Sequence, residues 1–118
     1  MNTIRQTQSL MLEDPENNWI YMMDFVDDFR YYKESDAIKD AIVTGRDADL
    51  DALLASVVEY LCDEIGSDAP GWTASISACK DPYFVHGMEN LKAISVVESP
   101  LRFRIRKIFV LENFLSRV

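Results

Sequence analysis

From Asp47 to Ile65 the chain places Leu50, Leu53, Leu54, Val57, Val58, Leu61, Cys62 and Ile65 at three- and four-residue steps. Side chains so spaced share one side of a helix, so the segment is predicted to be an α-helix with a wide apolar stripe. Asp47, Asp49 and Asp51 fall in its first turn, where carboxylates meet the positive end of the helix dipole, and Gly66 stands where a left-handed cap ends such a helix. A stripe this wide cannot stay in water. The rest of the chain must therefore supply elements that cover it.

Several segments have that character. Trp19, Met22, Met23, Val26, Phe29 and Tyr32 recur at helical spacing, which predicts a helix from Pro15 or Glu16 to Lys33 with Asp24, Asp27 and Asp28 on its outer face. Ser35 or Asp36 can cap a short helix through Val43, ended by Thr44-Gly45. Asp68-Ala69-Pro70-Gly71 reads as a turn, Trp72 as an anchor and Thr73–Cys79 as a weak helical piece, with a break at Asp81-Pro82-Tyr83-Phe84. Met88, Leu91, Ile94 and Val97 then predict a helix to Glu98.

Leu101–Ile105 alternates apolar and basic residues, a strand-like period. Pro100 at a first helical position, good helix formers after it and no evident strand partner favour a helix instead. Ile108–Leu111 can be extended, and Glu112–Arg117 reads as a short closing helix. Residues 1–14 are expected to form a loosely packed N-terminal segment. The expected fold is all-α, a single-domain bundle of five to seven helices over residues 1–118.

Composition agrees with a folded domain: 118 residues, 48% hydrophobic, 27% charged. No apolar run approaches the ~20 residues that cross a bilayer. Two cysteines, Cys62 and Cys79, fall in different elements without a metal-ligand spacing, so a reducing, cytoplasmic setting with both as small hydrophobes is expected. The net charge of −8 disfavours direct binding to nucleic acid or to an anionic membrane and leaves basic proteins as partners. Tyr31-Tyr32, Tyr83-Phe84 and the Phe109 region offer aromatic surface for a partner or for a homo-oligomer.

The charge is unevenly placed. Residues 99–118 hold five of the 12 Lys and Arg and one carboxylate, Glu112. Arg102, Arg104, Arg106 and Lys107 cannot all share one helix face, so some must turn inward. The expected role is structural: Arg102, Arg104 and Arg106 clamp this segment to the acidic body through ion pairs, with Glu98 a candidate partner.

Catalytic chemistry finds little support. His86 is the only histidine, and three His and Cys residues in total cannot supply a four-ligand zinc site. Asp47-x-Asp49-x-Asp51 opens like a calcium loop, but Ala52 replaces the glycine at loop position six and Val58 the glutamate at position twelve. The four glycines are scattered, so no phosphate-cradling loop exists. No catalytic residue, metal or cofactor is expected. Carboxylate pairs such as Asp24 with Asp28, or Asp63 with Glu64, would be the only basis for a metal-dependent enzyme.

The C-terminal motifs carry a resemblance. Trp72, Asp81-Pro82-Tyr83-Phe84-Val85, Glu89-Asn90-Leu91-Lys92-Ala93, Glu98-Ser99-Pro100, Phe103-Arg104-x-Arg106-x-Ile108-Phe109-Val110 and Asn113-Phe114-Leu115-Ser116-Arg117 resemble a family of small bacterial proteins and domains that look like antitoxins or toxin-antitoxin-associated modules. Its pattern is a Trp, Pro-Trp-Phe, Leu-(Lys/Arg)-Ala, Glu-Ser-Pro and Phe-(Arg/Lys)-x-Arg-Asn-Ile-Phe. The match spans roughly residues 50–118, with Tyr83 in place of a Trp and Lys107 in place of an Asn. The resemblance implies a non-enzymatic interaction module that masks a basic partner such as a nucleotidyltransferase-type toxin, with no catalytic residue to carry over. Asp24, Asp27, Asp28, Tyr83 and Phe84 are the candidate partner-binding residues. The alternatives are an acidic DNA mimic that inhibits a nucleic-acid enzyme, and the carboxylate-dependent metal enzyme. The clamp has a direct consequence: Arg104→Ala or Arg106→Ala lowers the melting temperature more than Lys39→Ala, and unchanged melting in both arginine variants would remove the clamp.

Overall fold

A computed structural model describes residues 2–85 and 89–116. His86, Gly87, Met88 and Arg117 lie outside that set, so the readings placed on them are not addressed further. The helix over 47–65 is present as α3, Ala48–Glu64. Asp47 caps it by accepting from the Leu50 N–H, and Gly66, at φ +67°, ends it with Ser67 N–H donating to Cys62 O and Gly66 N–H to Asp63 O. Residues 50 through 59 are all buried, so α3 is the central element of the fold, with no solvent face along that stretch.

Its cover comes from both ends of the chain. α1, Ile4–Glu13, and α2, Asn18–Tyr32, form an antiparallel hairpin in which the Asn2 N–H reaches Asp28 Oδ2 at 2.9 Å. The loose N-terminal segment expected from sequence is therefore a docked helix. Thr3 and Gln6 form a reciprocal capping box, and the inward positions Ile4, Thr7, Gln8 and Met11 keep helical spacing although two are polar. Thr7 donates to Thr3 O, while the buried Gln8 amide donates to Val43 O and Asp51 Oδ1 and accepts from the Val43 N–H at 2.8 Å. That amide fastens the non-helical stretch 41–44 at Val43, and the helix expected through Val43 is only a 3₁₀ turn, Ser35–Ala37.

A further 3₁₀ turn, Gly71–Ser75, lies along α3, and Trp72 anchors it by donating from Nε1 to Ile38 O at 2.8 Å. β1, Tyr83–Phe84, follows, then α4, Glu89–Glu98, and α5, Leu101–Arg104, which settles the alternating segment as helix. Lys107, at φ +61°, turns the chain into β2, Ile108–Phe109. β2 pairs in parallel with β1, Tyr83 opposite Ile108 and Phe84 opposite Phe109, with the rings of Phe84 and Phe109 stacked 5.2 Å apart. The fold is mostly helical; this strand pair is what the all-α expectation missed. The closing helix is also absent: residues 112–115 form turns. No helix among the described residues is long and apolar enough to cross a membrane.

Three arginines fasten this C-terminal third. Arg106 is buried and pairs with buried Glu59 on α3 through both guanidinium nitrogens, while Nη2 donates to Thr73 O at 2.7 Å, Nε to Ile76 O at 3.3 Å and Nη1 to Ser56 Oγ at 3.5 Å. Arg104 donates to Val97 O and Ser99 O, the orphan carbonyls at the end of α4. Arg102 makes a bidentate pair with Asp63 at 2.8 and 3.1 Å. Glu98, expected to pair with one of them, instead accepts from the Glu112 N–H at 3.2 Å. It sits at the exit of α4, where the chain after β2 returns within reach.

Removing one partner of a buried pair strands the other charge, so Arg106→Ala costs about 3–5 kcal/mol of stability, whereas Arg102→Ala, at a half-exposed pair, costs less than about 1 kcal/mol. Urea unfolding of both variants checks the ranking. Burial pushes the Glu59 carboxyl up, but hydrogen bonding and charge from Arg106 outweigh it and hold the group below its ordinary value of 4.5. A depressed folded value means that the stabilisation is full above 4.5 and lost as pH falls through the folded value. Unfolding measured from pH 7 to 3 therefore shows a steeper acid loss in the wild type than in Glu59→Gln.

Candidate functional site

The first turns of α2 and α3 meet β1 around a cleft of about 300 Å³. Met11, Met22, Leu50 and Leu53 give it an apolar floor, because each belongs to the core-facing set of its helix. Trp19 and Tyr83 also line it, and its polar groups are Asn18, Asp47 and Asp49. Among the described residues no lysine or arginine lines it.

Local structure explains each polar group. Asp47 spends one carboxylate oxygen, Oδ1, on the Leu50 N–H as the helix cap. Asp49, one residue inside the helix, accepts a hydrogen bond from the Cys79 thiol. Asp51, the third member of the alternating trio, points away from the cleft to receive Gln8 Nε2 and the Gly45 N–H. Asn18 opens α2, and its Oδ1 is buried with no hydrogen-bond partner among the described residues. Trp19, expected in the core, is 48% exposed and touches Phe114 with ring centroids 5.2 Å apart. Tyr32, expected on the same stripe, is also exposed.

Two groups register the local field. The Tyr83 phenol is pushed up by burial and then by the charges of Asp49 and Asp47. Cys79 is pushed up to about 11 by burial, with the hydrogen bond to Asp49 and its charge adding to the effect. A thiol held protonated in this way is a poor nucleophile.

The five partner-binding candidates do not form one surface. Tyr83 lines the cleft. Phe84 is engaged with Phe109 on one side and with Lys92, whose Nζ lies 5.4 Å from its ring centre, on the other. At 100° per residue, Asp24 and Asp27 fall on the side of α2 opposite Asn18 and Met22, whereas Asp28 lies only about 80° round from Asn18 and is occupied by the Asn2 N–H. Sequence reasoning missed Asn18, Trp19, Asp47 and Asp49. The one available signal was an aspartate trio with more carboxylates than a helix cap requires. Of the carboxylate pairs considered for a metal, Asp63 is held by Arg102 and Glu64 by Arg30, and among the described residues no three His, Cys, Asp or Glu side chains converge.

Comparison with protein-family models, with characterised proteins and with solved structures finds no match to this chain. Its geometry carries the functional argument. The Cys79 environment gives a check on the field beside the cleft: in a pH titration followed by its ¹³Cβ shift the thiol is expected to titrate near 11, against an ordinary 9.0, and Asp49→Asn is expected to lower that value. Because the folded value is raised, the associated stability is full below about 9 and lost as pH rises through about 11.

Proposed function

We propose that this chain is a non-enzymatic interaction module of antitoxin type that binds and masks a basic protein partner, such as a nucleotidyltransferase-type toxin. The observation that carries this reading is the inward use of the arginines. Arg106 is consumed by Glu59 and backbone carbonyls, Arg104 by the end of α4, and Arg30 and Arg102 by Glu64 and Asp63. The net charge of −8 is thus displayed by a body in which four arginines, Arg30, Arg102, Arg104 and Arg106, are tied to its own scaffold. Such a field steers a positively charged partner and repels nucleic acid.

The family-like motifs support the same reading. Ser99, of the Glu-Ser-Pro string, is buried; its hydroxyl accepts from the Val110 N–H at 2.8 Å and lies 2.6 Å from Ser95 O as a donor. Arg106 holds the α3 contact, Ile108 and Phe109 the strand pair, and Arg104 the end of α4. The pattern is a set of fold-determining residues, as expected where function lies in a surface. A DNA mimic needs an unbroken acidic array, and the exposed Lys33, Lys39 and Arg46 interleave with Asp36, Asp40 and Asp47.

Co-expression with the product of the neighbouring gene tests the proposal. The expected result is a stoichiometric complex whose association slows as salt rises, together with rescue of growth from that product. Absence of both complex and rescue overturns it.

A further inference from the structure

We infer that the cleft between α2 and α3 seats one arginine side chain of the protein partner, its guanidinium against Asp47 and Asp49 and its stem along the apolar floor beneath Trp19. The inference rests on the reading of this chain as an interaction module for a basic protein.

Size restricts the occupant. At about 300 Å³ the cleft lies at the low end of small-molecule sites, room for a side chain rather than a nucleotide. Charge selects its sign. Two carboxylates line the space with no cation among the described lining residues, and they exceed the roughly half positive charge that the start of α3 contributes. Asp47 has one oxygen left after capping, and the buried Asn18 Oδ1 lacks a donor among the described residues. A guanidinium, with five N–H groups in a planar fork, is the side chain that can answer several acceptors at once.

Trp19 supplies the remaining element. An indole half exposed at the edge of an acidic cleft, braced by Phe114, offers its face to a cation, and tryptophan is the strongest aromatic partner for one. The floor residues Met22 and Leu53 suit a methylene stem. The cleft is lined from α1, α2, α3 and β1, so the site is a product of the tertiary fold and not of the α3 terminus alone.

The test is a ¹H–¹⁵N NMR titration of the whole chain with N-acetyl-arginine methylamide, with the uncharged N-acetyl-norleucine methylamide and with free agmatine. The expected result is saturable shifts, in the millimolar range, at the Trp19 indole N–H and the amides of residues 47–50 with the arginine probe only. They vanish in Asp47→Asn/Asp49→Asn, which keeps a capping side chain and should remain folded by its amide spectrum. Absent or non-saturable shifts, equal shifts with norleucine, or shifts that persist in the double variant overturn the inference. Tighter binding of agmatine by tenfold or more assigns the cleft to a free small cation and overturns it as well. With the partner in hand, the double variant lowers affinity at least tenfold. A wild-type chain that captures no partner overturns the interaction reading, whereas equal capture by wild type and double variant overturns only the cleft assignment.

Discussion

The pairing of Arg106 with Glu59 is the constraint around which the C-terminal half is arranged. Two buried charges are tolerated only when attraction and hydrogen bonds replace the water that each has lost. Here all five guanidinium N–H groups have acceptors: both Glu59 oxygens, Ser56 Oγ, Thr73 O and Ile76 O. Those acceptors belong to α3, to the Gly71–Ser75 turn and to the residue after it. One side chain therefore ties its own segment to two others, residues 56–59 and residues 73–76. An apolar pair of similar volume could match the stability, but it would accept several small shifts of these pieces, and the guanidinium accepts few.

The consequences reach the cleft. Arg106 O accepts from the Cys79 N–H at 2.9 Å, and Lys107 O accepts from the Tyr83 N–H at 2.8 Å, so the backbone beside the ion pair positions both the thiol that binds Asp49 and the ring that lines the cleft. β1 is two residues long and could not hold its place by ladder bonds alone. It is placed because the turn carrying Arg106 is placed. The acidic site at one side of α3 and the basic tail at the other are in this sense parts of one arrangement.

Some of this was legible in the sequence because a single physical rule decided it. The α3 stripe, the Asp47 cap and the Gly66 terminus are local features of one helix, and α2 showed the same spacing. That some arginine had to turn inward followed from charge geometry, although which one did not, and Glu98 was the wrong partner because nearness in sequence was taken for nearness in space. α1 was obscured by Thr7 and Gln8: two of its four inward positions are polar, and the burial of Gln8 depends on a carbonyl at Val43 and a carboxylate at Asp51 that no local pattern reveals. The strand pair was invisible for a similar reason. Residues 83–84 and 108–109 are too short for an alternation to register, and their pairing is imposed by the turn between α5 and β2.

The candidate site was the least legible part, and Asp47, Asp49 and Asp51 show why. Their spacing is uniform and their expected role was one and the same, carboxylates at a helix start. Rotation by 100° per residue sends them to different surroundings: Asp47 to its own helix end, Asp49 to the Cys79 thiol, Asp51 to the Gln8 amide. Each lone pair used in this way is unavailable to a ligand, so a count of acidic residues overstates binding capacity. What defines a binding site is the remainder after internal demands are met. In this fold that remainder collects where Trp19 fails to bury, beside an acceptor on Asn18 that the described residues leave unanswered. The cleft thus owes its acidity to what the helix cap and the internal pairings leave over, carboxylate oxygens set beside an indole that the core does not cover.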